Sequence, residues 1–92
     1  MTTAVKTDRK ITLRGHAGRK DVCAMISALC VAMTDYIETV LKETGHFKLK
    51  SGRCDIDLEG FSDTAELLID VFWHSIKGIA KDYPDNVQAF EM

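Results

Sequence analysis

Two side chains of this sequence, His16 and Cys23, combine the types and the spacing that nucleophilic chemistry needs. A cysteine with a histidine beside it is the minimum for attack on a peptide carbonyl: sulfur supplies the nucleophile and imidazole handles the proton. Cys23 falls in the first turn of an expected helix. Unpaired N–H groups and the helix dipole favour a thiolate there, and the same N–H groups could serve as oxyanion donors. Arg19 and Lys20 add positive potential nearby. His16 follows an expected strand, in a loop where Gly15 and Gly18 let the backbone turn back. Seven extended residues reach roughly 23–25 Å, so the imidazole can fold against the sulfur with ease. The competing reading of Cys23 is a small core hydrophobe.

Other candidates are fewer. Cys30 lies seven residues on, nearly on the same helical face but two turns in, where the dipole has faded. Cys54 fits the inward face of a strand. Ser27, one turn after Cys23, either hydrogen-bonds near the site or bonds the carbonyl four residues back. Asp21 reads as the helix N-cap. His46 and His74 read as surface or packed residues, and Trp73 as a core edge or partner surface. No GxSxG, phosphate-binding loop or HExxH is present. The cysteines are spaced 7 and 24 residues apart, which is not metal-ligand spacing, so no metal or other cofactor is expected.

The elements that must position these residues are short. Residues 2–5 and 10–14 read as strands joined at Thr7-Asp8; Ile11 and Leu13 alternate with polar neighbours. Residues 21–44 carry a helical pattern through Val22, Ile26, Leu29, Met33, Ile37 and Val40, ending before Gly45. Its first half is apolar on most faces, so it needs cover from the second helix or from another subunit. Residues 46–50 and 53–59 form a hairpin about Ser51-Gly52, a lysine strand against an acidic one. Residues 63–83 form a second helix with Asp63 and Glu66 as a capping pair, stopped before Pro84. Residues 87–90 could add a strand. The order ββαββα(β) predicts an α+β, two-layer domain over residues 1–92, with a small antiparallel sheet and helices on one face.

Size and charge bound the rest. At 92 residues there is room for one domain and no large internal cavity, so a site must lie at the surface or between subunits. A net charge of −2 excludes a strongly basic nucleic-acid binder, though not a local basic patch. No run of 18 apolar residues occurs, and no export signal is seen, so a membrane-spanning helix is not expected and a cytoplasmic setting with reduced thiols is.

The stretch Gly15-His16-Ala17-Gly18, then Cys23-Ala24 and Ser27-Ala28-Leu29, resembles the ribosomal-processing cysteine protease family, Prp. Its members carry Gly-His-Ala, a glycine-rich loop, then Asp-Ile-Val-Cys-Ala-Ala-x-Ser-Ala-Leu. Ile76-Lys77-Gly78-Ile79-Ala80-Lys81-Asp82-Tyr83-Pro84 is similar to the family's Leu-Lys-x-Ile-Ala-x-x-Tyr-Pro. The resemblance implies a dimeric α+β protease of bacterial or phage origin. It would remove the N-terminal extension of a large-subunit ribosomal protein, with Cys23 as nucleophile and His16 as general base. Gly15, Ala17 and Gly18 would belong to the substrate-covering loop, with Ser27 and Asp21 in support. Two features depart from the family. The His16–Cys23 segment is shorter, and Asp21 stands two residues before the cysteine rather than three, a turn of about 100° about the helix. A shortened loop leaves room for an alternative: a non-catalytic dimeric module that keeps the fold.

Overall fold

A computed structural model describes all 92 residues. The strands are β1 (Thr2–Lys6), β2 (Lys10–Arg14), β3 (Phe47–Lys50), β4 (Arg53–Asp57) and β5 (Val87–Glu91). The helices are α1 (Lys20–Asp35), which runs on into a π-helical turn (Tyr36–Val40), and α2 (Asp63–Asp82). The sheet order is β3-β4-β2-β1-β5. Strand alternation sends Ala4, Ile11, Leu13, Cys54, Ile56 and Val87 to one face, where they join Val22, Ile26, Met33, Ile69, Phe72 and Ile76 from the helices in a single core. The fold is α+β with two layers.

The sheet is mixed rather than antiparallel. β1–β2, β2–β4 and β3–β4 are antiparallel, but β5 runs parallel to β1, from Thr2 opposite Val87 to Lys6 opposite Glu91. The reason is the connection. α2 carries the chain back across the layer, and β5 then starts at the same end as β1. The hydrophobic pattern of so short a strand carries no direction.

Two helix ends differ from expectation. Asp21 is not the cap of α1: Arg19 occupies that position without a side-chain capping bond, and Asp21 lies inside the first turn. In α2 the cap is Ser62, whose Oγ accepts from the Ala65 N–H at 3.2 Å, so the Asp63–Glu66 pair does not form the box. The first helix also stops short of Gly45. Its π-helical turn ends at Val40, and Lys42 takes the left-handed conformation at φ 60° before Gly45 does so at φ 88°. Glu43 N–H reaches back to Ile37 O at 3.1 Å, which closes the widened last turn.

Lys20–Val40 holds no unbroken run of 18 apolar residues, yet by length and composition alone it could cross a bilayer, as a core helix also can. In this fold its inner face, Val22, Ile26, Cys30, Met33 and Ile37, is buried in the core. α2 gives part of the cover that the apolar first half demanded. Ala24, Ala28, Val31 and Ala32 stay exposed.

Candidate active site

β2 ends at Arg14, and the chain turns at Gly15, which has φ 88°. A Cβ at Gly15 would run into the Met1 carbonyl, so only glycine fits. His16 follows with an exposed side chain. Its ring lies over the β3–β4 turn: a Cβ on Gly52 would come 2.8 Å from His16 Nε2. The loop then dives. Ala17 is buried, and its carbonyl accepts from Asn86 Nδ2 at 2.8 Å. Gly18 is left-handed, and Arg19 stacks over the Tyr83 ring at 5.1 Å. The short loop is thus pinned to the α2–β5 connection.

Cys23 sits in the first turns of α1, half-buried, with its N–H on Arg19 O at 3.0 Å. The expectation of oxyanion donors at the helix start is narrowed by this. Cys23's own amide is spent, and Val22 N–H donates to Asp21 Oδ1 at 2.9 Å. The amides of Lys20 and Asp21 make no such bond.

His16, Cys23 and Ser27 line one cleft of about 210 Å³, between α1 and the β3–β4 hairpin. Leu13, Ile26, Cys30 and Cys54 give it an apolar floor, and Lys50 and Arg53 are on its rim. No hydrogen bond joins His16 to Cys23. Ser27 makes no bond to the Cys23 carbonyl one turn back, unlike Ser75, whose Oγ donates to Val71 O at 2.9 Å. Of the other loop residues Gly15 also reaches the cleft; Ala17 and Gly18 do not.

Asp21 lies outside the cleft. Its carboxylate accepts from Arg19 Nε at 3.1 Å and Nη2 at 2.7 Å. That side-chain pair, helped by the Val22 amide, holds it below the usual carboxylate range. Cys30 and Cys54 are buried beneath the cleft. The Cys54 thiol shares a hydrogen bond with Cys30, and this with burial pushes its titration well up, so it stays protonated. His46 stacks on Phe61 at 3.9 Å, and its Nδ1–H donates to Asp57 O at 3.1 Å. His74 is exposed, while Trp73 is buried with its indole N–H donated to Glu91. No three His, Cys, Asp or Glu side chains are grouped to hold a metal ion.

Gly52 escaped the sequence reading as a site residue. It reads there only as half of a turn. The signal was present, since glycine at that turn is the one residue that leaves space for a ring above it.

The fold and cleft define a class: a small α+β domain that presents a cysteine at a helix start and a histidine from the preceding loop. The profile of the family described as cysteine protease Prp matches residues 2–88, and the chain belongs to that family. A search of curated protein sequences returns no match. Among solved structures, an essential ribosomal processing protease Prp from S. aureus, with a covalently linked product peptide, superposes with a TM-score of 0.86 at 23% identity. That alignment covers 100% of both chains. The same protease with a substrate peptide gives 0.85 at 21% identity, again over 100% of both chains. SMU.848 from Streptococcus mutans gives 0.78 at 24% identity, covering 99% of this chain and 91% of that one.

Proposed function

We propose that this protein is a cysteine endopeptidase acting through Cys23 and His16. The observation that carries the reading is that both side chains line one open cleft in a chain of the Prp family. The Cys23 thiolate attacks the scissile carbonyl carbon, and the C=O electron pair moves onto oxygen. Collapse expels the amine, which takes its proton from the His16 imidazolium, and a thioester to Cys23 remains. His16, now neutral, takes a proton from water as it attacks the thioester. The acid leaves and the thiolate returns. Ser27 Oγ, free of a backbone bond, supports the site from one turn away.

The substrate we propose is the N-terminal extension of a large-subunit ribosomal protein, cut in the cytoplasm. A similar protease has been crystallised with substrate and product peptides, which supports a peptide ligand. We further propose a homodimer. The small side chains Ala24, Ala28 and Ala32 lie four apart on the exposed face of α1, so a second copy of that face could approach closely. The second reading is a binding module without turnover, favoured by the short loop pinned at Ala17 and Arg19.

Incubation with ribosomal proteins carrying their N-terminal extensions, read by mass spectrometry, separates the two. Wild type removes the extension and Cys23→Ala does not. Intact substrate with folded wild type defeats the protease reading.

A further inference from the structure

The main chain on both sides of His16 is held from outside its loop. Gly15 N–H donates to Gly52 O at 2.9 Å, and Gly15 O accepts from Thr2 Oγ1 at 3.3 Å. His16 O accepts from Met1 N at 2.6 Å, and Ala17 O accepts from Asn86 Nδ2 at 2.8 Å. Peptide units are planar, so carbonyls held at three successive residues leave the His16 Cα little freedom to turn. The direction of its Cα–Cβ bond follows, and with it the seat of the ring over Gly52.

The tie on the Cys23 side of His16 is the one made by Asn86, which reaches across 69 residues of sequence. Asn86 is firmly mounted. Its N–H and that of Val87 both donate to Tyr83 O at 3.0 Å, closing the turn after α2. Its carbonyl accepts from Thr2 N–H at 2.9 Å, where β5 meets β1. A short amide side chain on a backbone fixed at both ends gives up little entropy in making its bond. Nδ2 also lies against the left-handed Gly18, where a Cβ would come 3.9 Å from it. Ala17 is buried, so water poorly replaces a lost donor to its carbonyl.

We propose that Asn86 is a positioning residue for the reaction at Cys23. By holding Ala17 O, it keeps the His16 imidazole at the angle from which it exchanges protons in the cleft. Asn86 itself is not part of the cleft lining, so it acts only through the loop. This inference rests on the protease reading and adds to it a residue from the α2–β5 connection. The rival role is a plain structural tie between that connection and the loop. Side-chain substitution separates the two roles, since the backbone bonds of Asn86 to Tyr83 and Thr2 do not need its side chain. Its backbone is not left-handed either, so other residues fit there without strain.

Asn86→Ala removes the donor, and Asn86→Asp keeps the shape but sets an anionic acceptor against Ala17 O. Both are compared with wild type on a synthetic peptide spanning the N-terminal extension of a large-subunit ribosomal protein. The NMR resonances of the His16 ring are recorded without substrate, and urea melts give the folded fraction. Positioning predicts kcat lowered about 10- to 100-fold in both variants, KM changed less than about twofold, and shifted His16 ring resonances in folded protein. A wild-type kcat, a loss confined to KM, or a loss that matches the unfolded fraction overturns the positioning role and leaves the protease reading standing. No cleavage by folded wild type overturns the protease reading and the positioning role with it.

Discussion

His16 has one seat in this fold, the turn at Gly52. An alanine there would meet the imidazole 2.8 Å from Nε2 and would also have to adopt φ 68°. Gly52→Ala should cost about 1–2 kcal/mol in left-handed strain. Because the ring must move, it should also lower kcat/KM by up to ~100-fold, read by peptide cleavage with a urea melt alongside. His16→Ala should lose the ~100- to 10,000-fold that a general base contributes. Ser27→Ala removes one hydroxyl from the cleft, so a loss of roughly tenfold or less in kcat/KM is expected, with unchanged stability. At this scale the types and spacing of His16, Cys23 and Ser27 pointed to residues that the fold brings to one cleft. It misassigned Asp21, because the Arg19 guanidinium holds that carboxylate outside the cap and outside the cleft.

At the level of elements, Glu43 joins the end of the π-helical turn to the start of α2. Its carboxylate accepts from Ser62 N at 2.7 Å and Ser62 Oγ at 2.6 Å, and the Ser62 hydroxyl bond leads in holding it below the usual glutamate range. A carboxylate with a depressed folded value stabilises the fold above its unfolded value of about 4.3 and loses that contribution as pH falls through the depressed one. Urea midpoints should therefore drop below about pH 4.3, and Glu43→Gln should flatten that part of the profile. Ser62→Ala should cost about 1 kcal/mol, since it removes the α2 cap as well. Lys42→Gly should gain ~0.5–1 kcal/mol by relieving the left-handed residue at φ 60°. Periodicity located both helices and both hairpins. It could not show the π-helical turn, because one wider turn shifts the pattern only at its very end.

For the whole molecule, the distribution of apolar surface is uneven. α1 and its π-helical turn bury Val22, Ile26 and Ile37 yet leave Val31 59% exposed and Val40 56% exposed. The proposed homodimer predicts a two-fold mass by sedimentation equilibrium. Ala28→Glu should shift it to the single-chain mass, and an unchanged monomer for wild type would refute the dimer. Ile76, fully buried under the sheet, should cost about 2–5 kcal/mol as alanine. That loss would be global and would leave the cleft chemistry intact in the fraction still folded.

The short chain was expected to hold its site at the surface, and the cleft lined by His16 and Cys23, about 210 Å³, opens there beside the β3–β4 hairpin. By itself the sequence determined the helix and strand order and pointed to His16 and Cys23, which line one cleft, because these depend on local periodicity, residue chemistry and short spacing. Only the tertiary structure decided the parallel placement of β5, the pinning of the His16–Cys23 loop on Asn86 and Tyr83, and the contact of His16 with Gly52. Each of these joins residues more than thirty positions apart. Such contacts are set by how the layers pack, and no local pattern encodes them.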